Sequence, residues 1–98
     1  MDAVRWSREE FGGAQLGDAR RLERLLAVAA QVAESPAGTV SAVFPVAAQR
    51  QGAYRLLSNE QVDAKLVAGA SHAACVVRCT GEDFVFVPED GSSLNITD

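Results

Sequence analysis

Residues 18–34 read DARRLERLLAVAAQVAE, and this stretch decides the fold. Leu22, Leu25, Leu26, Ala29, Val32 and Ala33 recur at spacings of three and four, which predicts an α-helix with one face turned to a core. Asp18 can cap its start by accepting from the orphan amides of the first turn. Ser35-Pro36 should stop it, because the residue before a proline is pushed out of the helical region. Arg20, Arg21 and Arg24 fall on the opposite side of the first two turns.

Upstream, Ser7-Arg8-Glu9-Glu10 has the pattern of a capping box, so a short helix is expected to open there. Gly12-Gly13 should end it, and Trp6 and Phe11 are placed to staple its entry. Downstream, residues 37–44 read as a loop or short extended piece. Pro45 suits the first turn of a third helix running to about Leu57. A break at Ser58-Asn59 then precedes a fourth helix from about Val62 to Cys79. Phe84-Val85-Phe86-Val87 predicts a strand, and its unbroken apolar character one buried on both faces. A lone strand has nothing to pair with, so the chain reads as cut off. The expected fold is mainly α: a small bundle of about four helices followed by one β-strand stub. Residues 1–80 form the helical part, and residues 81–98 the strand and tail.

Composition agrees with one small globular domain: 98 residues, 48% hydrophobic and 22% charged. No apolar run approaches the ~20 residues that span a bilayer. The N-terminus lacks a basic segment followed by an apolar one, so a cytoplasmic protein is expected, with no membrane partner. Cys75 and Cys79 are then expected as reduced thiols. With His72 they share one helix face, which predicts a stripe turned to the core; zinc would want a fourth ligand. No phosphate-cradling glycine loop and no nucleophile elbow is present, and no small-molecule substrate is expected.

Net charge is -4, which argues against DNA until its distribution is considered. Residues 5–55 hold seven arginines against five acids, whereas residues 56–98 hold Lys65 and Arg78 against seven acids. Arg20, Arg21, Arg24, Arg50 and Arg55 are therefore the candidate DNA-binding residues. Arg20 and Arg24, one turn apart, can straddle adjacent phosphates. The competing reading pairs these arginines with Asp18 and Glu23 on the same helix. Asp90 is the candidate metal ligand, because an acid at the end of a rigid strand can hold a hard divalent cation. Its competing reading is a turn, since Glu89-Asp90-Gly91-Ser92-Ser93 has turn composition.

Taken together, Leu16-Gly17-Asp18 with Arg20-Arg21, Arg24-Leu25, Gln51-Gly52-Ala53-Tyr54-Arg55, Asn59, Val62 and Glu89-Asp90 resemble the Tn-five group within the insertion-sequence-four family of DDE transposases. The resemblance covers nearly the whole chain. It implies a helical DNA-binding domain that grips the transposon's terminal repeat, followed by the truncated start of an RNase H-like core. Arg20, Arg21, Arg24 and Arg55 would face double-stranded DNA, and the loop around Val40-Ser41, with Ser41, would lie close to it. Asp90 would be the first catalytic acid, one of three that hold Mg2+ or Mn2+ in the full-length family. The other two acids are expected well beyond residue 98, since Asp98 stands only eight residues after Asp90. No cofactor is therefore expected for this chain alone, nor catalysis. Pro88 and Gly91 flank the acid where the family has ordinary strand residues. Glu34-Ser35 stand where the family can carry basic or aromatic contacts, which predicts weaker DNA affinity. Double-stranded DNA of the terminal repeat and a full-length transposase are the expected partners, and a cytoplasmic, nucleoid-associated location is expected. The alternative is a transposase-derived interaction or repressor fragment with little DNA affinity of its own.

Overall fold

In a computed structural model of the 98-residue chain, residues 2–89 and 91 are described. Five helices follow in order: α1 (Ala3–Phe11), α2 (Ala19–Glu34), α3 (Val40–Val43), α4 (Ala47–Ser58) and α5 (Ala64–Cys79). Helix α2 is the centre of the fold, packing against α1, α3 and α4, while α5 packs on α1. The buried apolar residues are Ala3, Ala14, Leu16, Leu26, Ala30, Phe44, Ala53 and Leu56. Half of them are alanines, which let helices approach closely but remove little apolar area from water.

The start and stop signals of α2 act as expected. The Asp18 carboxylate accepts from the Arg20 amide at 2.8 Å, and the helix ends at Ser35. Gly17 just before the cap has φ +81°, a left-handed conformation that a side chain would strain. Gly12 closes α1, and Trp6 meets Phe11 edge to face at 5.9 Å.

Helix α1 begins earlier than the capping-box pattern predicts. Asp2 caps it, accepting from the amides of Val4 and Arg5. Ser7 instead lies in mid-helix, fully buried, and donates from Oγ to the Leu26 carbonyl at 2.6 Å. Glu10 reaches α5 and not the backbone, accepting from Ser71 and Arg78. The pattern is therefore used for tertiary contacts, and an acid upstream does the capping.

Residues 37–44, expected as a loop, contain the single turn α3, whose cap Thr39 accepts from the Ala42 amide at 3.3 Å. Pro45 stays outside the third expected helix: Val46 is the N-cap of α4. The carbonyls of Phe44 and Pro45 receive the Arg50 guanidinium at 2.9 and 3.1 Å. The expected break falls as read, and α4 ends at Ser58.

No residue of α5 is buried. His72 and Cys75 are exposed and Cys79 is half-buried, so the stripe expected to face the core faces solvent. Ser71 and Arg78 are turned to α1 instead. Both cysteines are free thiols. Loss of solvation, with Cys75 beside it, pushes the Cys79 thiol above its ordinary range.

Residues 84–87 form no strand among the described residues. Phe84 is 84% exposed and Phe86 93%. No second strand is present among the described residues to complete their backbone hydrogen bonds, which leaves the run without the pairing a strand needs. Asp90, the expected metal ligand at its end, lies outside the described residues.

Candidate nucleic-acid interface

Four arginines from two helices line one cleft. Arg20, Arg21 and Arg24 come from the first two turns of α2, and Arg55 from α4. Ala48, Gly52, Leu56 and Asn59 complete a cleft of about 270 Å³. The two groups stand far apart in sequence and meet because α2 packs on α4, burying Leu26 and Ala30 on one side, Ala53 and Leu56 on the other.

Each arginine is placed by a different device. Arg21 is half-buried and donates from Nη1 to the Leu16 carbonyl at 3.0 Å. Arg24 lies over Gly52, where a Cβ would stand 2.5 Å from its Nη1. The Arg20 side chain is 94% exposed, its Nε 3.7 Å from Asp18 Oδ1. Arg55 is exposed in the last turn of α4.

Pairing along α2 reaches Arg20 alone, through Asp18 at 3.7 Å. Glu23 pairs with Arg8 of α1 at 3.1 Å and not with its neighbours on α2. Asp18 spends its best hydrogen bond on the Arg20 amide. That bond, and the charges of Arg20 and Arg21, hold its carboxyl below the usual range. Among the described residues, Arg21, Arg24 and Arg55 have no carboxylate partner within 4.0 Å. Four like charges with one carboxylate beside them leave a positive cleft that favours a polyanion.

The other expected contacts separate from this cluster. Arg50 is half-buried and committed to the Phe44 and Pro45 carbonyls, so its first duty is to hold the α3–α4 corner. Ser41 is exposed on α3 and does not line the cleft.

Gln51, Tyr54, Ser58 and Asn59 also enter the site, although charge alone did not single them out as contacts. Gln51, Tyr54, Arg55 and Ser58 fall at i, i+3, i+4 and i+7, so they form one exposed face of α4. Arg55 belongs to both this face and the cleft. Asn59 lines the cleft while its Oδ1 accepts from the Gln61 amide at 2.8 Å, which leaves its NH2 free to donate. The helical spacing of polar and aromatic residues in 51–58 was the available signal.

Among the described residues, no group of three His, Cys, Asp or Glu side chains could hold a metal ion. No helix there is long and apolar enough to cross a membrane. A family model described as transposase DNA-binding matches residues 3–62, more than half of the chain. The match includes the whole arginine cleft and stops just before α5.

Proposed function

The chain belongs to the transposase DNA-binding family, and we propose that its α2–α4 arginine cleft recognises the terminal repeat of a Tn-five-like transposon. Membership makes DNA its partner and DNA binding within a transposase its role. The single observation that carries the finer reading is the convergence of Arg20, Arg21, Arg24 and Arg55, of which only Arg20 has a carboxylate nearby.

Arg20 and Arg24 are separated by about 6 Å of helix rise, close to two nucleotide steps of one strand at ~3.4 Å each. They can therefore bind phosphates two steps apart on one strand and fix the register of α4. The exposed face of Gln51, Tyr54, Arg55 and Ser58 would then meet the major groove, which admits a helix. A glutamine there suits the N6 and N7 edge of adenine, and an arginine the O6 and N7 edge of guanine.

We read residues 1–80 as the DNA-binding part and residues 81–98 as the beginning of an RNase H-like core, with Asp90 its first acid. The resemblance alone supports the latter. Strand cleavage in the family would require two further acids, which the resemblance puts beyond residue 98; the function proposed for residues 1–80 is recognition.

Fluorescence anisotropy with labelled duplexes tests the proposal. Neutralising about four phosphates gives a log K against log salt slope of about -3.6. A terminal-repeat duplex should bind more tightly than one of scrambled sequence, and loss of both binding and slope should follow when Arg20, Arg24 and Arg55 become Ala. Equal affinity for repeat and scrambled duplexes would remove the end-recognition claim and leave unspecific DNA binding.

The near-complete exposure of Phe84 and Phe86 favours one second reading, an interaction fragment that pairs through residues 84–87 with another protein. It predicts association at low salt with no DNA present, and little affinity for any duplex.

A further inference from the structure

Helix α5 is held by a contact of a different kind from those joining α1, α2 and α4. It has sixteen residues and none is buried. Leu66, Val76 and Val77 are exposed by 43, 65 and 74%. Helices in proteins gain most of their stability from a buried face, and α5 has little of one.

Its firm attachment is polar. The Glu10 side chain, on α1, is only 13% exposed. Its two carboxylate oxygens accept separately, Oε1 from the Ser71 hydroxyl and Oε2 from Arg78 Nη1. Ser71 and Arg78 stand seven residues apart, so one carboxylate spans about two turns of α5. On the same helix, one turn away, buried Ser7 ties α1 to the Leu26 carbonyl. The receiving side of the contact is thus fixed in the core, and the arriving side is not.

The seam beside it is also open. Leu25, Leu56 and Leu57 face Val62, Ala64, Val67 and Ala68 across a hollow of about 330 Å³. Residues 59–63 join α4 to α5 through one turn, in which Asn59 Oδ1 accepts from Gln61 and the Asn59 carbonyl from Val62, and Asp63 then caps α5, accepting from Lys65. The linker needs no contact from α1 to keep its local structure.

We propose that α5 is a releasable arm. The Glu10 carboxylate clasps it to α1, and when the clasp opens α5 swings away about residues 59–63 and, without its packing partner, frays, while α1–α4 stay folded. Opening would change the angle between the arginine cleft and whatever follows residue 80, without altering the cleft itself.

Amide hydrogen exchange on the intact chain tests this. In the unaltered protein, the interior amides of α5 should exchange through an opening that leaves α2 and α4 protected. Glu10→Ala should speed exchange throughout α5 by about tenfold or more, the scale of a lost charge-assisted hydrogen bond, and leave the slowest amides of α2 and α4 unchanged. Arg78→Glu should do the same, and the exchanged pair Glu10→Arg with Arg78→Glu should restore protection. The proposal fails if α5 and α2 exchange together in the unaltered protein, because the arm is then part of one cooperative unit. It also fails if Glu10→Ala leaves α5 unchanged, or if the exchanged pair does not restore protection.

Discussion

Gly52 lies directly beneath the Arg24 guanidinium: a Cβ at residue 52 would stand 2.5 Å from Arg24 Nη1 and 2.8 Å from its Cζ. A glycine in mid-helix costs ~0.5–1 kcal/mol relative to alanine, so the bare backbone at this position has a use. It lets an arginine from α2 lie flat against α4 and keeps the cleft floor open.

Gly52→Ala should separate stability from binding. The displaced atoms belong to the free end of an exposed side chain, so the fold can accommodate the methyl group, and helix propensity favours it by up to ~1 kcal/mol. Arg24 must move, and DNA affinity should fall. Thermal unfolding and anisotropy measured on the same sample should show an unchanged or raised Tm with weaker binding. A lower Tm with unchanged affinity would show that Arg24 takes no part in the contact.

Arg50 and Arg55 should respond differently although both are arginines of α4. Arg55→Ala removes a cation of the cleft, so the salt slope should flatten by about 0.9, one phosphate's worth, at little cost in stability. Arg50→Ala leaves the Phe44 and Pro45 carbonyls without their donor and should cost ~1–3 kcal/mol of stability. Urea unfolding of both variants, beside their salt titrations, checks the contrast.

Ser7→Ala removes a fully buried hydroxyl that joins α1 to α2 through the Leu26 carbonyl. The expected loss is ~1–2 kcal/mol. The salt slope of DNA binding should be unchanged, because Ser7 does not line the arginine cleft. Chemical denaturation supplies the first number and the duplex titration the second.

Local signals made most of the fold legible: the Asp18 cap, the Gly12 stop, the three-four spacing of α2 and the break after Ser58 all depend on neighbours within a turn or two. The misreadings of Ser7, Glu10 and α5 share one cause, a partner remote in sequence. Ser7 and Glu10 carry a capping pattern, yet their partners lie 19, 61 and 68 residues away. His72, Cys75 and Cys79 on one face of α5 suggested a stripe turned to the core, and what covers a helix face is a tertiary question that spacing does not answer. The arginines were legible as candidates, but not their convergence, because α2 meets α4 only after folding. Arg50 shows the converse: an arginine chosen for DNA by its charge is held first by two backbone carbonyls.

The Glu10 clasp gives the chain an acid-sensitive contact. The hydrogen bond from Ser71, and then Arg78, hold the Glu10 carboxyl below its ordinary range. A carboxyl depressed on folding adds stability that is fully present above the unfolded value of ~4.3 and is lost as pH falls through the folded value below it. Glu9, which pairs with Arg5, also faces Arg78 and favours its charged form. Acidification below the ordinary glutamate range should therefore lower the protection of α5, each rate taken relative to that of an unstructured amide at the same pH, with α2 and α4 following only at lower pH. In Glu10→Gln the carboxylate is already absent, so α5 should exchange fast at neutral pH and gain little from further acid. A pH series of α5 exchange in the two proteins decides the point: parallel curves would place the acid sensitivity elsewhere.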